Sequence, residues 1–257
     1  MVQIVALAIV FVISLLGLAG GVLLIYREKW AKVISRYLIS FAIGALLGTA
    51  FLDLLPEAIA KAGANENILI YTLVGIFVFY LLEKTLLWYH HHSIEHIWHG
   101  KHPPEEKAHP VGYMIILGDA LHNFTDGIAI AAGFLISFKL GLATSLAVLF
   151  HEIPAEIGIF AVLLHSKFSR LKTLLYSLAA QLTAVVGALV GLFYLPLFAN
   201  SEALVLAFAA GGFIYIASAD LLPETHKEKN LSKSLIQVGL LVLGILVIWY
   251  VGQIFPE

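Results

Sequence analysis

Two apolar stretches carry the residues able to do chemistry. "GYMIILGDALHNFTDGIAIAAGF" (112–134) holds Asp119, His122, Asn123 and Asp126, and "GLATSLAVLFHEIPAEIGIFAVLL" (141–164) holds His151, Glu152 and Glu156. Residues three and four apart share a helical face, so Asp119, His122 and Asp126 form one stripe. His151 and Glu152 fall near the middle of their stretch, at a similar depth to the first group. Ionisable side chains are costly in hydrocarbon and mark function there by default. Two imidazoles with several carboxylates and an amide suit a divalent transition metal, because imidazole binds zinc and its neighbours while carboxylate offsets the charge. Chains of Asp, Glu and His also relay protons, which is the rival reading. Pro154 removes an intrahelical bond and frees the carbonyl of Phe150 as a further acceptor.

The elements that must position these residues follow from composition. The chain has 257 residues, 60% hydrophobic and only 12% charged, about half the charged share of an ordinary soluble domain. It has no cysteine, which excludes disulfides and thiolate ligands. No basic block points to nucleic acid. Apolar runs long enough to span a bilayer as helix lie near 2–25, 37–60, 68–89, 111–135, 140–164, 173–197, 203–224 and 233–255. The reading is an all-α polytopic membrane protein of eight spans. The first run lacks a basic leading region and is too long for a signal-peptide core, so it is read as a retained span.

Basic residues set the topology. Arg27, Lys29, Lys32 and Arg36 follow the first span, and Lys84, Lys101 and Lys107 lie in or beside the loop after the third. Lys167, Arg170 and Lys172 follow the fifth, and Lys227, Lys229 and Lys233 the seventh; the other loops and the tails hold only Lys61 and Lys139. That bias places the first set in the cytoplasm and both termini outside.

"DLLPE" occurs at 53–57 and again at 220–224, with similar flanks, "FAIGALLGTAFL" and "FAAGGFIYIASA". With the topology above, the copies face opposite sides of the membrane, as an inverted repeat requires. Spans 1–3 then pair with 6–8 around a central pair, and inverted repeats are a hallmark of transporters that alternate access about a midplane site. Asp53 with Glu57, and Asp220 with Glu224, each share a face. They read as entrance and exit acids, with His226 beyond the inner pair and Asp119 along the path.

"HNFTDG" (122–127) followed by "HEIPAEIG" (151–158), on the fourth and fifth of eight spans, resembles the ZIP family of divalent-metal transporters. The resemblance covers essentially the whole chain. It implies movement of Zn²⁺, or of Fe²⁺, Mn²⁺ or Cd²⁺, into the cytoplasm, with metal as substrate and no catalytic cofactor. It implies a homodimer in the plasma membrane, and a bundle around spans 1, 4, 5 and 6 that slides against the rest. Carried onto this sequence, His122, Asp126 and His151 bind the primary metal. Asn123, Asp126 and Glu152 bind a second, and Gln181 on span 6 stands where relatives place another ligand.

The chain departs from the family pattern at Ala155, where His, Glu or Gln is usual, and at Ile159, where Asp is common. Fewer protein ligands are then expected, with Glu156 or Gln181 as compensating donors. Ala155 also argues against an intramembrane hydrolase, which needs a second histidine there (H-E-x-x-H). That hydrolase and a non-transporting sensor are the alternatives. By segment, residues 1–89 hold spans 1–3, 111–165 spans 4–5 with the metal site, and 166–257 spans 6–8. The 90–110 loop carries His90, His91, His92, His96, His99, His102 and His109, and reads as a cytoplasmic metal-capture tether.

Overall fold

Long apolar runs with few breakers become helices, because helix is the one open-ended structure that satisfies every backbone group internally. A computed structural model describes residues 2–62, 67–98, 110–198 and 201–254. Among the described residues there is no strand, and consecutive helical segments form eight rods. These are α1 (Val2–Ala31), α2 (Val33–Ala62), α3 (Ile68–Trp98), α4 (Pro110–Ile136), α5 (Phe138–Leu164), α6 (Arg170–Leu197), α7 (Ser201–Thr225) and α8 (Leu231–Ile254). Among the described residues, α1, α2, α5, α6, α7 and α8 are long and apolar enough by length and composition to cross a membrane. The rods lie within a few residues of the apolar runs, except that α1 and α3 extend further.

α3 continues to Trp98, so His90, His91, His92 and His96 fall on its last turns. The side chains of those four, and the whole of His99, His102 and His109, lie outside the described residues. α5 runs on through Pro154 without a break.

Two rods carry a π-helical turn, Thr49–Leu54 in α2 and Ile216–Leu221 in α7. Each contains the Asp of a "DLLPE" copy and ends just before its proline. Pro56 and Pro223 offer no N–H to the preceding turn and crowd its carbonyls, and a widened turn relieves the crowding. Thr49 to Ile216 is a step of 167 positions, as is Asp53 to Asp220.

The same step organises the packing. A Cβ on Gly44 would lie 1.9 Å from the Leu241 carbonyl oxygen, and one on Gly244 would lie 2.3 Å from that of Phe41, so α2 and α8 touch backbone to backbone. Gly211 and Thr72, then Gly75 and Phe208, repeat this pair of contacts between α7 and α3, each at 2.1 Å. Gly20 on α1 meets the Ile153 carbonyl of α5 at 2.0 Å, and Gly187 on α6 meets the Phe124 carbonyl of α4 at 2.0 Å. Positions 20 and 187 are again 167 apart. The step from 124 to 153 is 29, the step from His122 to His151. The contacts that α1 makes with α5 and α6 makes with α4 thus mirror each other in position, and small residues let the rods close.

A single residue, Ser137, joins α4 to α5. It is extended (φ −153°, ψ 154°), and its hydroxyl accepts a hydrogen bond from the Leu140 N–H at 3.1 Å. Ser137→Ala should cost about 1 kcal/mol, the usual worth of such a cap. A thermal melt of the purified protein reads this; an unchanged melting temperature would show the cap to be idle.

Candidate metal centre

α4 presents His122 and Asp126 one turn apart, and α5 presents His151 and Glu152 against them. One ligand atom from each lies within 4.8 Å of all the others. His122 Nε2 is 3.1 Å from His151 Nε2, 3.5 Å from Asp126 Oδ2 and 3.5 Å from Glu152 Oε1. His151 Nε2 is 3.3 Å from Asp126 Oδ2 and 3.4 Å from Glu152 Oε1. Zinc bonds N and O ligands at about 2.1 Å in a tetrahedron, whose edge is then about 3.4 Å. These five edges lie close to that figure and the sixth, between Asp126 and Glu152, is within 4.8 Å, so the four atoms can surround a cation of zinc's size.

The unpaired atoms tell the same story. Asp126 Oδ2 and Glu152 Oε1 have no hydrogen-bond partner, although both residues are buried. Buried carboxylate oxygens without partners are costly, and both of these face the space between the imidazoles. His151 Nδ1 lies 3.0 Å from the Ala147 carbonyl oxygen. A carbonyl can only accept, so the proton sits on Nδ1 and leaves Nε2 with its lone pair free for a metal. Ring edges close the site: Phe79 of α3 lies 5.8 Å from His122, and Phe213 of α7 lies 6.1 Å from His151, centroid to centroid.

The remaining predicted donors stand outside this cage. Asn123 donates to Asp119, at 2.9 Å to Oδ1 and 3.1 Å to the carbonyl. Gln181 donates to Glu152 Oε2 and, at 3.1 Å, to Glu156 Oε1. It thereby fixes the carboxylate whose other oxygen faces the cage. Asp119 Oδ2 and Glu156 Oε2 are buried without partners, one turn from the cage on their respective helices. Ala155 contributes no donor, and the four-residue cage does not include its position.

The two acidic pairs lie apart from the cage. Asp53 and Glu57 line a cavity of about 250 Å³ with Ser137 and Lys139, and Glu57 stands 4.0 Å from Lys61. Asp220 and Glu224 are exposed, with Glu224 paired to Lys227. Near Glu224 a cavity of about 570 Å³ is bordered by the ion pair of Arg36 with Glu228, 3.1 Å long. The Asn230 backbone N–H, helped by Lys233 and Arg36, holds the Glu228 carboxyl below its ordinary range. His226 is exposed beside them. Reading the sequence missed Lys139, Phe79 and Glu83; the last accepts a hydrogen bond from the Tyr215 hydroxyl. No sequence spacing signals these, because each meets its partner only across helices.

Comparison with known proteins agrees with the geometry. The family model described as "ZIP Zinc transporter" matches residues 1–111 and 90–252. "Zinc transporter ZIP13" of Pongo abelii is 35% identical over 262 residues, covering 95% of this chain and 74% of the relative. The Homo sapiens protein of that name is 33% identical over 289 residues, covering 95% and 77%. "Zinc transporter ZIP4" of Homo sapiens is 50% identical over 127 residues, 49% of this chain and 19% of the relative.

Proposed function

The chain belongs to the ZIP zinc transporter family, and from that premise we propose that it moves divalent transition-metal cations, Zn²⁺ foremost, into the cytoplasm by alternating access around the cage of His122, Asp126, His151 and Glu152. The observation that carries this is the set of four donor atoms, five of whose six separations lie near the edge of a zinc tetrahedron, two of them buried oxygens with no partner, within an apolar helical bundle. Metal transport, not catalysis, is the business of the relatives, and the metal is cargo.

In finer detail, eight spans cross the plasma membrane in a 3+2+3 arrangement, with both termini outside and the histidine-bearing 90–110 segment in the cytoplasm. Reciprocal glycine contacts, at a step of 167 between α2 and α7 and of 169 between α3 and α8, support that symmetry. The protein works as a homodimer. Asn123 turns from Asp119 to join Asp126 and Glu152 around a second ion, and Glu156 and Gln181 supply the donors that Ala155 lacks. Fe²⁺, Mn²⁺ and Cd²⁺ are admitted as well, since imidazole with carboxylate suits several such ions. Inward movement is favoured by the membrane potential, at about 4.6 kcal/mol per 100 mV for a divalent ion, twice the single-charge figure.

The test is uptake of Zn²⁺ into sealed proteoliposomes carrying an internal metal-sensitive dye, against protein-free vesicles. Saturable uptake is the expected result, and vesicles no leakier than the protein-free ones would overturn the proposal. Glu57→Gln and Glu224→Gln, tested singly, should slow uptake about two- to fivefold through weaker attraction of cations, with equilibrium metal binding retained. Loss of binding in both would sink their assignment to entrance and exit.

A further inference from the structure

Lys139 stands where the helix itself disfavours it. It is the second residue of α5, whose first turn carries partial positive charge. It is also one of only two basic residues on the side that the charge bias assigns to the exterior, the other being Lys61. Both serve the same acidic pair. Lys61 stands by Glu57, and Lys139 lines the cavity that contains Asp53 and Glu57.

The Lys139 stem crosses the backbone of Gly252. A Cβ there would lie 3.5 Å from Lys139 Cε, 4.0 Å from its Nζ and 3.8 Å from Asp53 Oδ1. Lys139 Nζ and Asp53 Oδ1 therefore flank the same point above Gly252, each within 4.0 Å of it. Yet among the described residues no ion pair of 4.0 Å or less joins the two. Asp53 Oδ2 is buried with no hydrogen-bond partner, so the carboxylate keeps one oxygen free. The opposite end inverts this arrangement. Gly75 to Gly244 is a step of 169, and that step carries Glu83 to Gly252. Beside Asp220 there is therefore a carboxylate, where beside Asp53 there is a glycine and the ammonium that lies across it.

We propose that Lys139 is a tethered cation that an arriving divalent ion must displace from beside Asp53, and that it thereby sets the apparent KM and keeps monovalent cations out. This rests on the transport reading above. A tethered ammonium competes at an effective concentration in the millimolar range or higher. A monovalent ion that replaced it would gain no charge and would lose the tether. A divalent ion gains one charge against Asp53 and Glu57, and so wins the exchange.

The experiment is the initial rate of Zn²⁺ uptake against concentration, in proteoliposomes of the wild type, Lys139→Gln, Asp53→Asn and the double variant, each with external K⁺ or choline. Lys139→Gln should lower KM about five- to tenfold with the maximal rate little changed, the order expected for removing one nearby charge at a solvated site. It should also make uptake sensitive to K⁺. In the Asp53→Asn background the same change should move KM less than twofold. Lys139→Arg, which keeps the charge, should move KM by less than half as much as Lys139→Gln. An unmoved or raised KM in Lys139→Gln overturns the proposal, as does an equal fall in both backgrounds. Wild-type protein that carries no zinc would sink the transport reading and this proposal together; wild-type flux with an unmoved KM sinks this one alone.

Discussion

His151→Ala should weaken zinc binding on the order of 100-fold or more, and with it end uptake. Disturbing groups that merely orient a metal ligand costs about 10- to 100-fold in affinity. Loss of one of four direct donors sets the upper end of that range as a floor. Two further consequences point the same way. The Ala147 carbonyl loses the imidazole that satisfies it, and the freed volume at the centre of the cage leaves the two carboxylates facing each other across His122. The check uses binding, so it does not depend on flux. Zinc at one hundred times the wild-type Kd should stabilise the wild type by about 2.7 kcal/mol. The same dose, for a hundredfold weaker variant, gives only about 0.4 kcal/mol. A variant stabilised by zinc as much as the wild type would remove His151 from the site, while the family assignment would stand. Asn123→Ala is the useful companion. Its amide bonds Asp119 and not the cage, so primary binding should survive and the number of ions bound should fall from two to one.

Gly20→Ala and Gly187→Ala should each destabilise the protein by about 3 kcal/mol, the upper end of the usual range for overfilling a packed interior. Each added methyl would start 2.0 Å from a backbone carbonyl oxygen, that of Ile153 or Phe124. A carbonyl on a rod cannot step aside as a flexible side chain can. The helices must separate, and they do so a single residue beyond Glu152 and Asn123. Metal affinity should therefore fall with stability. Gly158 and Gly239 are the internal controls, because a Cβ at either meets nothing within 4 Å. Alanine there should be neutral or should stabilise by up to about 1 kcal/mol, the helix-propensity difference. Thermal melts of the four variants give opposite signs if close backbone contact is the cause. A uniform loss at all four would mean that the glycines matter for some other reason.

The helices and the cage were legible for one shared reason. In an apolar run every ionisable residue stands out against its neighbours, so His122, Asp126, His151 and Glu152 announced themselves and the runs around them gave the rods. The hydrogen bonds that orient them were not legible. Nothing in the spacing says that Gln181 grips Glu152, that Asn123 turns to Asp119, or that Ala147 fixes the tautomer of His151. The mirrored position of the contacts on α4 and α5 was hidden too. "HNFTDG" and "HEIPAE" share little beyond their histidine, and only the mirrored glycine contacts at Ile153 and Phe124 expose it. In the sequence Lys139 stands only as one of two basic residues on the outer side, because its meaning depends on Asp53 and Gly252, each more than eighty positions away. The histidines from 90 to 109 remain readable only as composition.

Ser137 has a mechanical consequence. One extended residue between two long rods leaves them no slack, so α4 and α5 cannot slide lengthwise past each other by even a single helical turn. The four ligands are split two and two across that hairpin, and their spacing is accordingly fixed by a rigid joint at one end. Whatever relative motion the molecule has must be taken up at the borders of the hairpin with α2, α3, α7 and α8. A gauge of the distance between α4 and α5, such as a pair of spin labels flanking the cage, should read the same with and without zinc, while one spanning α5 and α2 is free to change.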